Sequence, residues 1–184
     1  NSIYLNNTGL LANIPANTFT NGITVFIVYK NTASNTTNVA LFYRNTSSNN
    51  TPNPINVYND SRDFSDNSTI TSTFDISENS GSTIFSFYTD STLAYNEYSN
   101  GESNVTGTAG AYTDSGTQIT IGMDGQNTTT NGFKGNISEI IIYNFDLTPL
   151  QQQDIEGYLA WKWNMQTFLP SSHPYSYLNV SFTP

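Results

Sequence analysis

The sequence has no cysteine, one histidine and only five basic residues among 184, and each shortage excludes a class of function. Without cysteine there is no disulfide scaffold, no thiol nucleophile and no Cys-ligated zinc. A single histidine cannot supply the usual ligands of a His-based zinc site, and it leaves triad chemistry only one base. Because the net charge is −9 and the basic residues lie far apart in sequence, nucleic acid is excluded as an expected partner.

Long apolar runs are also missing. The longest, residues 25–29 and 140–143, are far shorter than the ~20 residues of a membrane helix, so we expect no membrane insertion. Charged residues make up only 10%, and the polar share comes from 26 Asn, 26 Thr and 21 Ser. The aromatic fraction of 14% supplies the large side chains that disordered chains lack. We therefore expect one folded domain over residues 1–184.

Period-two apolar patterns separated by turn residues predict many short strands. Residues 25–29 and 140–142 are apolar on both faces, which is typical of central strands covered on both sides. Asn-Gly and Asp-Gly pairs at 21–22, 100–101, 124–125 and 131–132 favour tight turns. The pattern predicts two stacked sheets. The predicted strands are 2–6, 23–30, 39–44, 55–58, 69–76, 83–88, 118–122 and 138–143.

One helix is predicted over residues 149–163. Thr148 can cap it, Pro149 suits its first position, and Gln151 completes a capping box. An apolar stripe follows that would pack on a sheet: Ile155, Leu159 and Trp163, with Tyr158 beside them. Trp161 and Trp163 are both interpreted as packing residues between helix and sheet. Two prolines within residues 169–175 predict an extended surface tail after the helix.

Blocks near both ends of the chain carry a family resemblance. Towards the C-terminus they read FKGNISEIIIYN (133–144), LT (147–148), EGYLAWKW (156–163) and LPSSHPY (169–175). Near the N-terminus they read SIYL (2–5), NIP (13–15) and ITVFIVYK (23–30). These blocks resemble the concanavalin A-like lectin/glucanase superfamily, specifically its laminin-G-like domains, which are common in extracellular and viral surface proteins. The resemblance implies an all-β fold: a jelly-roll sandwich of two antiparallel sheets with one short C-terminal helix.

The resemblance does not extend to catalysis. Glucanases of this superfamily carry an E-x-D-x-x-E strand, and this sequence has no such motif. Retaining hydrolysis needs two carboxyl groups about 5 Å apart, and the only acidic pair at i, i+2 is Asp154 with Glu156 on the predicted helix. We predict that the protein is not an enzyme; a hydrolase built from carboxylates on different strands is the alternative. Glu139 is interpreted as a solvent-face residue and His173 as a packing or hydrogen-bonding residue.

Calcium is the one cofactor that the resemblance suggests, because relatives often hold Ca²⁺ in loops at the sandwich rim. The ion takes six to eight oxygen ligands. Two loops offer such groups: Asp60, Asp63 and Asp66 with Asn59 and Asn67, or Asp124 with Gln126 and Asn127. We take Asp124 and Asn127 as the candidate metal ligands, because the second loop is nearer the expected rim. Ordinary turn chemistry is the alternative for both loops.

A sugar site needs aromatic faces next to amides or carboxylates. One segment offers that mixture, and its candidate ligand-binding residues are Tyr95, Tyr98, Asn100, Glu102 and Asn104. The same segment also fits an ordinary polar hairpin. We therefore predict a non-catalytic module that recognises a glycan or surface receptor from an extracellular or virion surface. The alternative is a structural module that decorates a capsid or joins coat proteins without a small ligand.

Overall fold

The computed structural model describes residues 1–31, 40–45, 56–58, 62–63, 69–70, 81–92, 94–108, 114, 116–123 and 132–176. That part of the chain forms twelve β-strands, one α-helix and a 3₁₀ turn at Gln166–Phe168. In chain order the strands and helix are β1 (Ile3–Asn6), β2 (Leu10–Asn13), β3 (Gly22–Asn31), β4 (Ala40–Asn45), β5 (Asn56–Tyr58), β6 (Arg62–Asp63), β7 (Thr69–Ile70), β8 (Ser82–Asp90), β9 (Ala94–Ser99), β10 (Glu102–Thr108), β11 (Gln118–Ile121), β12 (Lys134–Tyr143) and α1 (Pro149–Lys162).

The strands form two six-stranded sheets with antiparallel neighbours. Sheet A has the order β1-β12-β3-β8-β9-β10, and sheet B has the order β2-β11-β4-β5-β6-β7. Strands distant in sequence are therefore neighbours: β1 pairs with β12, and β2 pairs with β11. The predicted all-β jelly-roll sandwich with one short C-terminal helix is confirmed.

The main core lies between the two sheets. Val25 and Ile27 of β3 pack there with Phe87 of β8, and sheet B contributes Phe42 and Ile119. All five side chains are buried. Successive strand residues point to opposite faces, so the residues of β3 and β8 that alternate with these core residues face the outside of sheet A.

Helix α1 covers part of that outer face. Phe26 and Val28 of β3 are buried there against Leu159 and Ala160 of the helix, which explains why β3 is apolar on both faces. The capping box is present: the Thr148 hydroxyl accepts from the backbone N–H of Gln151, and the Gln151 side chain accepts from the backbone N–H of Thr148. In the described part of the chain, no helix has the length and apolar character needed to cross a membrane.

Two expectations about the C-terminal region are corrected. Trp163 packs on the helix–sheet core and is partly buried, but Trp161 is 41% exposed and does not lie between helix and sheet. Positions two apart on a helix differ by about 200° around its axis, so both indoles cannot face the sheet. The segment after the helix is a series of docked turns rather than an extended tail, with His173 N–H donating to the Pro170 carbonyl and Ser176 N–H to the His173 carbonyl.

Strands β9 and β10 were not among the predicted strands, although the hairpin alternative for this segment is correct. Their polar composition hides the apolar alternation that marks the other strands. Asn100 and Gly101 form the turn with φ of 52° and 78°, as the Asn-Gly pair predicts. Strand β2 was also missed, and only residues 69–70 of the predicted strand 69–76 lie within the described residues.

Candidate functional site

The structure divides the predicted sugar-binding residues between different surroundings. Tyr95 and Glu97 point from β9 into the core between the sheets; both are 0% exposed, and the Tyr95 hydroxyl donates to Glu97 Oε2 at 2.7 Å. Tyr95 therefore offers no ring face to a ligand, which corrects its place in the predicted set. The period-two alternation of β9 sends Tyr98 to the opposite face.

The two predicted asparagines are engaged in the hairpin. Asn100 Oδ1 accepts from the Ile84 N–H at 2.9 Å, and the Asn100 N–H donates to the Ile84 carbonyl at 2.8 Å. Asn104 lies at a bulge of β10 and donates to the Ser99 hydroxyl at 2.7 Å. Glu102 is exposed on the edge strand opposite Ser99. Tyr98 is the member of the set that lies on the open outer face of sheet A.

Tyr98 has an aromatic neighbour that sequence reasoning missed. The rings of Tyr88 and Tyr98 are nearly parallel, with an interplanar angle of 20° and centroids 6.4 Å apart. Cross-strand pairing places Asn96 beside Tyr88 and beside Thr106, and Ser103 beside Tyr98. We call these five residues the tyrosine patch. The sequence does carry a signal for Tyr88. Tyr88 is two residues from Ser86 on β8, so both side chains lie on the face opposite to that of the core residues Phe85 and Phe87.

The patch is uncharged at neutral pH. Burial, with the neighbouring Tyr88 hydroxyl and the Glu156 carboxylate, raises the pKa of Tyr98 to about 12. Its hydroxyl therefore stays protonated and can donate as well as accept hydrogen bonds. Tyr88, Asn96 and Tyr98 are each partly exposed, while Ser103 and Thr106 are exposed. The arrangement offers aromatic surface next to neutral hydrogen-bonding groups.

A buried polar network fixes α1 beside the patch. Glu156 Oε1 accepts from the Ser86 hydroxyl at 3.1 Å and from Gln152 Nε2 at 3.2 Å. Its other oxygen, Oε2, lies 3.2 Å from His173 Nε2. All four residues are at most 5% exposed. The hydrogen-bonding role predicted for His173 is confirmed, and the enclosure of Glu156 leaves it no access to a substrate.

Glu139 also has a structural partner. It accepts from Lys162 Nζ at 2.8 Å and from the Trp163 indole N–H at 2.7 Å. Burial opposes its ionisation, but these hydrogen bonds outweigh burial and lower the pKa of Glu139. The carboxylate therefore ties the middle of strand β12 to the end of α1 rather than facing solvent alone.

The predicted metal ligands Asp124 and Asn127 lie outside the described residues, as do Asp60 and Asp66. Asp63 belongs to β6, but its side chain is not described. Within the described ranges there is no group of three or more His, Cys, Asp or Glu side chains that could hold a metal ion.

A different cluster of oxygens at the sandwich rim already surrounds a cation from the protein itself. Arg44 Nε donates to Asp114 Oδ1 at 2.9 Å, and both side chains are buried. The other guanidinium nitrogens donate to the carbonyls of Ile14, Pro15 and Gly116 at 3.2, 2.8 and 2.7 Å. This ion pair and its hydrogen bonds connect β4 to two segments: one that follows β2 and one that precedes β11. No local pattern in the sequence indicates this ion pair, because Arg44 and Asp114 are far apart along the chain.

No protein-family model and no curated protein sequence matches this chain. Solved structures do share its fold. The Ruminococcus gnavus IT-sialidase CBM40 bound to α2,3-sialyllactose superposes with a TM-score of 0.60 at 19% identity, over 82% of this chain and 93% of that one. Domain 4 of AbnA, an extracellular arabinanase of Geobacillus stearothermophilus in complex with arabinotriose, has a TM-score of 0.63 at 20% identity, over 84% and 76%.

The Trypanosoma rangeli sialidase matches with a TM-score of 0.67 at 10% identity, over 88% of this chain. This chain spans about 27% of that sialidase, whereas it spans most of the two smaller domains. At these identities the similarity establishes the β-sandwich fold.

Proposed function

We propose that this chain is a non-catalytic carbohydrate-binding module that contacts a glycan through the tyrosine patch. The observation that carries the proposal is the pair of nearly parallel Tyr88 and Tyr98 rings on the outer face of sheet A. The C–H face of a sugar packs on aromatic rings, while Asn96, Ser103 and Thr106 supply donors and acceptors for its hydroxyls. Two structural neighbours of similar extent are described with bound sugars, sialyllactose and arabinotriose, which supports this class of ligand.

The chemistry of the patch favours a neutral glycan over an acidic one. None of its five residues is cationic, and the Glu156 carboxylate is close enough to Tyr98 to influence its pKa. A sugar carboxylate placed there would lack the Arg or Lys partner that such groups use in proteins. A neutral ligand, as in the arabinotriose complex of the arabinanase domain, therefore fits better than a sialylated one.

The absence of activity is part of the proposal. Glu97 is buried under Tyr95, Glu156 is enclosed by His173 and Ser86, and Glu139 is paired with Lys162. Each of these carboxylates holds structure, which supports a binding role over hydrolysis. Membership of the concanavalin A-like and laminin-G-like group also remains a proposal, as does Ca²⁺ binding at Asp124 and Asn127.

The location on an extracellular or virion surface is proposed from composition. A chain with 40% Asn, Thr and Ser and only 10% charged residues is rich in uncharged polar side chains, which suits an exposed adhesive or coat protein. The alternative role in capsid decoration or assembly would use the same surface without a small ligand.

A glycan array, run with and without a Ca²⁺ chelator, tests the proposed function. Tyr98→Ala is the diagnostic variant, and Tyr4→Ala is its control because Tyr4 is 57% exposed on β1, at the other edge of sheet A. We expect Tyr98→Ala to weaken binding about fivefold, since a stacked ring contributes about 1 kcal/mol. Tyr4→Ala should leave binding unchanged.

Three other results would change the assignment. Binding that is lost on chelation would indicate a metal-assisted site and would be checked with Asp124→Asn. No binding across the array, with stable co-assembly with a coat protein, would support the structural alternative. Release of reducing ends from neutral polysaccharides, abolished by one Asp or Glu substitution, would show that the protein is an enzyme.

A further inference from the structure

The solvent side of α1 carries two adjoining cavities that the tyrosine patch does not use. The larger has a volume of about 520 Å³ and the smaller about 220 Å³. Asp154 lines both, so the two cavities are adjacent, and together they are called the groove along α1. The larger cavity is lined by Asp154, Gly157, Tyr158, Trp161, Lys162 and Tyr175. The smaller adds Tyr143, Phe145 and Gln151 among its lining residues.

Three aromatic rings of this groove keep exposed surface although they make local contacts: Phe145 packs against Tyr143, and Lys162 Nζ lies 5.2 Å from the centre of the Tyr158 ring. Tyr158 is 49% exposed, Trp161 is 41% and Phe145 is 43%. The Trp161 indole N–H already donates to the Tyr175 carbonyl at 3.0 Å. The part of Trp161 that a ligand can contact is therefore the apolar surface of its ring.

The floor of the groove is held in place before any ligand arrives. The Tyr175 ring lies directly over Gly157, where a Cβ atom would come within 2.4 Å of the ring. The Tyr175 hydroxyl donates to Asp154 Oδ1 at 2.6 Å. The ring is thereby fixed from both ends, and little side-chain freedom remains to be lost on binding.

The polar groups of the groove indicate the chemistry of its ligand. The second carboxylate oxygen of Asp154 accepts no hydrogen bond from the described part of the chain, so it is available to a ligand donor. Lys162 is the cation of the groove, and its charge is balanced by Glu139 at 2.8 Å. Asp154 therefore leaves the groove with net negative charge, which disfavours a carboxylated or sulfated ligand. Aromatic faces with one hydroxyl-accepting carboxylate match a neutral sugar.

We infer that the groove along α1 is a second carbohydrate-binding site, specific for a neutral oligosaccharide of two to three units. One sugar ring packs on Trp161 and Tyr158, a neighbouring ring reaches Phe145, and Asp154 accepts a hydroxyl hydrogen bond between them. The site is separate from the tyrosine patch, and neither requires the other. If both act, one module holds two points of a polysaccharide and gains avidity.

The experiment uses the tryptophan content of the chain. The chain has only two tryptophans, so a Trp163→Phe variant keeps one indole, that of Trp161, which lines the groove. Its fluorescence is titrated with maltotriose, cellotriose, xylotriose and N-acetylchitotriose. We expect a saturable change with at least one of them, in the Tyr98→Ala background as well. Circular dichroism checks that each variant is folded.

Matched variants define the outcome. Tyr158→Ala and Asp154→Ala should each weaken that binding on the order of tenfold, as expected from loss of a stacking face or of a charge-assisted hydrogen bond. Phe168→Ala is the control, because Phe168 is 54% exposed but does not line the groove. No fluorescence change with any of the four sugars would overturn the inference. Binding unaffected by Tyr158→Ala and Asp154→Ala would also overturn it, as would self-association abolished by Trp161→Ala, which would assign the groove to a second copy of the chain.

Discussion

Glu156 of α1 and His173 of the following turns are joined through Oε2 and Nε2 at 3.2 Å, and the side chains of both are 2% exposed. His173 also lies against the β9–β10 turn, where a Cβ on Gly101 would come within 2.8 Å of its ring. The other Glu156 oxygen accepts from Ser86 of β8. One buried carboxylate thus links the helix, the C-terminal turns and sheet A next to the tyrosine patch.

Replacing His173 should therefore loosen all three parts. His173→Phe leaves Glu156 Oε2 buried without its partner. We therefore expect the free energy of unfolding, measured by urea titration, to fall by about 1–3 kcal/mol. The double variant Glu156→Gln/His173→Phe should recover part of that loss, because an amide is less costly to bury than a carboxylate. A single variant as stable as the parent would show that the contact contributes nothing.

The buried ion pair at the rim predicts a larger effect. Arg44→Met leaves the Asp114 carboxylate buried and unpaired, so we expect a loss of about 3–5 kcal/mol. The stability of Arg44→Lys should lie between that of Arg44→Met and that of the parent, since an ammonium keeps the charge but cannot reach the carboxylate and three carbonyls together. Thermal unfolding followed by circular dichroism measures the order of stability of the parent and the two variants. Equal stability of the Lys variant and the parent would contradict the role of the guanidinium geometry.

Gly157 and Gly107 make a matched pair for the packing of Tyr175. In an exposed helix Gly→Ala is stabilising by about 1 kcal/mol, but at position 157 the new Cβ would overlap the Tyr175 ring. Gly157→Ala should therefore destabilise the protein by about 1–3 kcal/mol and release the C-terminal turns to limited proteolysis. Gly107→Ala meets nothing within 4 Å and should change stability by less than about 0.5 kcal/mol. A Gly157→Ala protein more stable than the parent would refute the close contact.

The raised pKa of Tyr98 predicts a specific pH dependence. Because the folded protein holds this proton up to about pH 12 and an unfolded tyrosine loses it near pH 10, the contribution of Tyr98 to stability is complete below pH 10. It is lost as the pH rises towards 12. Phenolate absorbance of the folded protein should show a late-titrating tyrosine that Tyr98→Phe removes. A titration unchanged by Tyr98→Phe would contradict the burial of this hydroxyl.

Local rules were enough for the elements whose signals lie within a few residues. The capping box of Thr148 and Gln151 fixed the start of α1, because its hydrogen bonds join residues three apart. The Asn100–Gly101 turn follows from the ease with which these residues adopt positive φ. Strand β3, apolar on both faces, could belong only to the middle of a covered sheet.

The candidate sites depended on relationships that the sequence does not contain. Once β9 is known to be a strand, alternation places Tyr95 and Tyr98 on opposite faces, but only the packing of the second sheet decided that Tyr95 is inside and Tyr98 outside. The partnership of Tyr98 with Tyr88 depends on strand register, which is set by long-range pairing.

The two tryptophans at the end of α1 show the same division between what the sequence determined and what tertiary packing decided. The sequence of the helix determined that Trp161 and Trp163 point in different directions, since two positions separate them by about 200°. Which indole packs was decided by the docking of the helix on β3 and β12, where Trp163 meets Glu139. Trp161 was left on the open side with Tyr175, a residue brought there by the turns that His173 anchors. Composition and local pattern thus determined the helix, the Asn100–Gly101 turn and the central strand β3, and the burial of long-range partners decided which faces of the elements a ligand can reach.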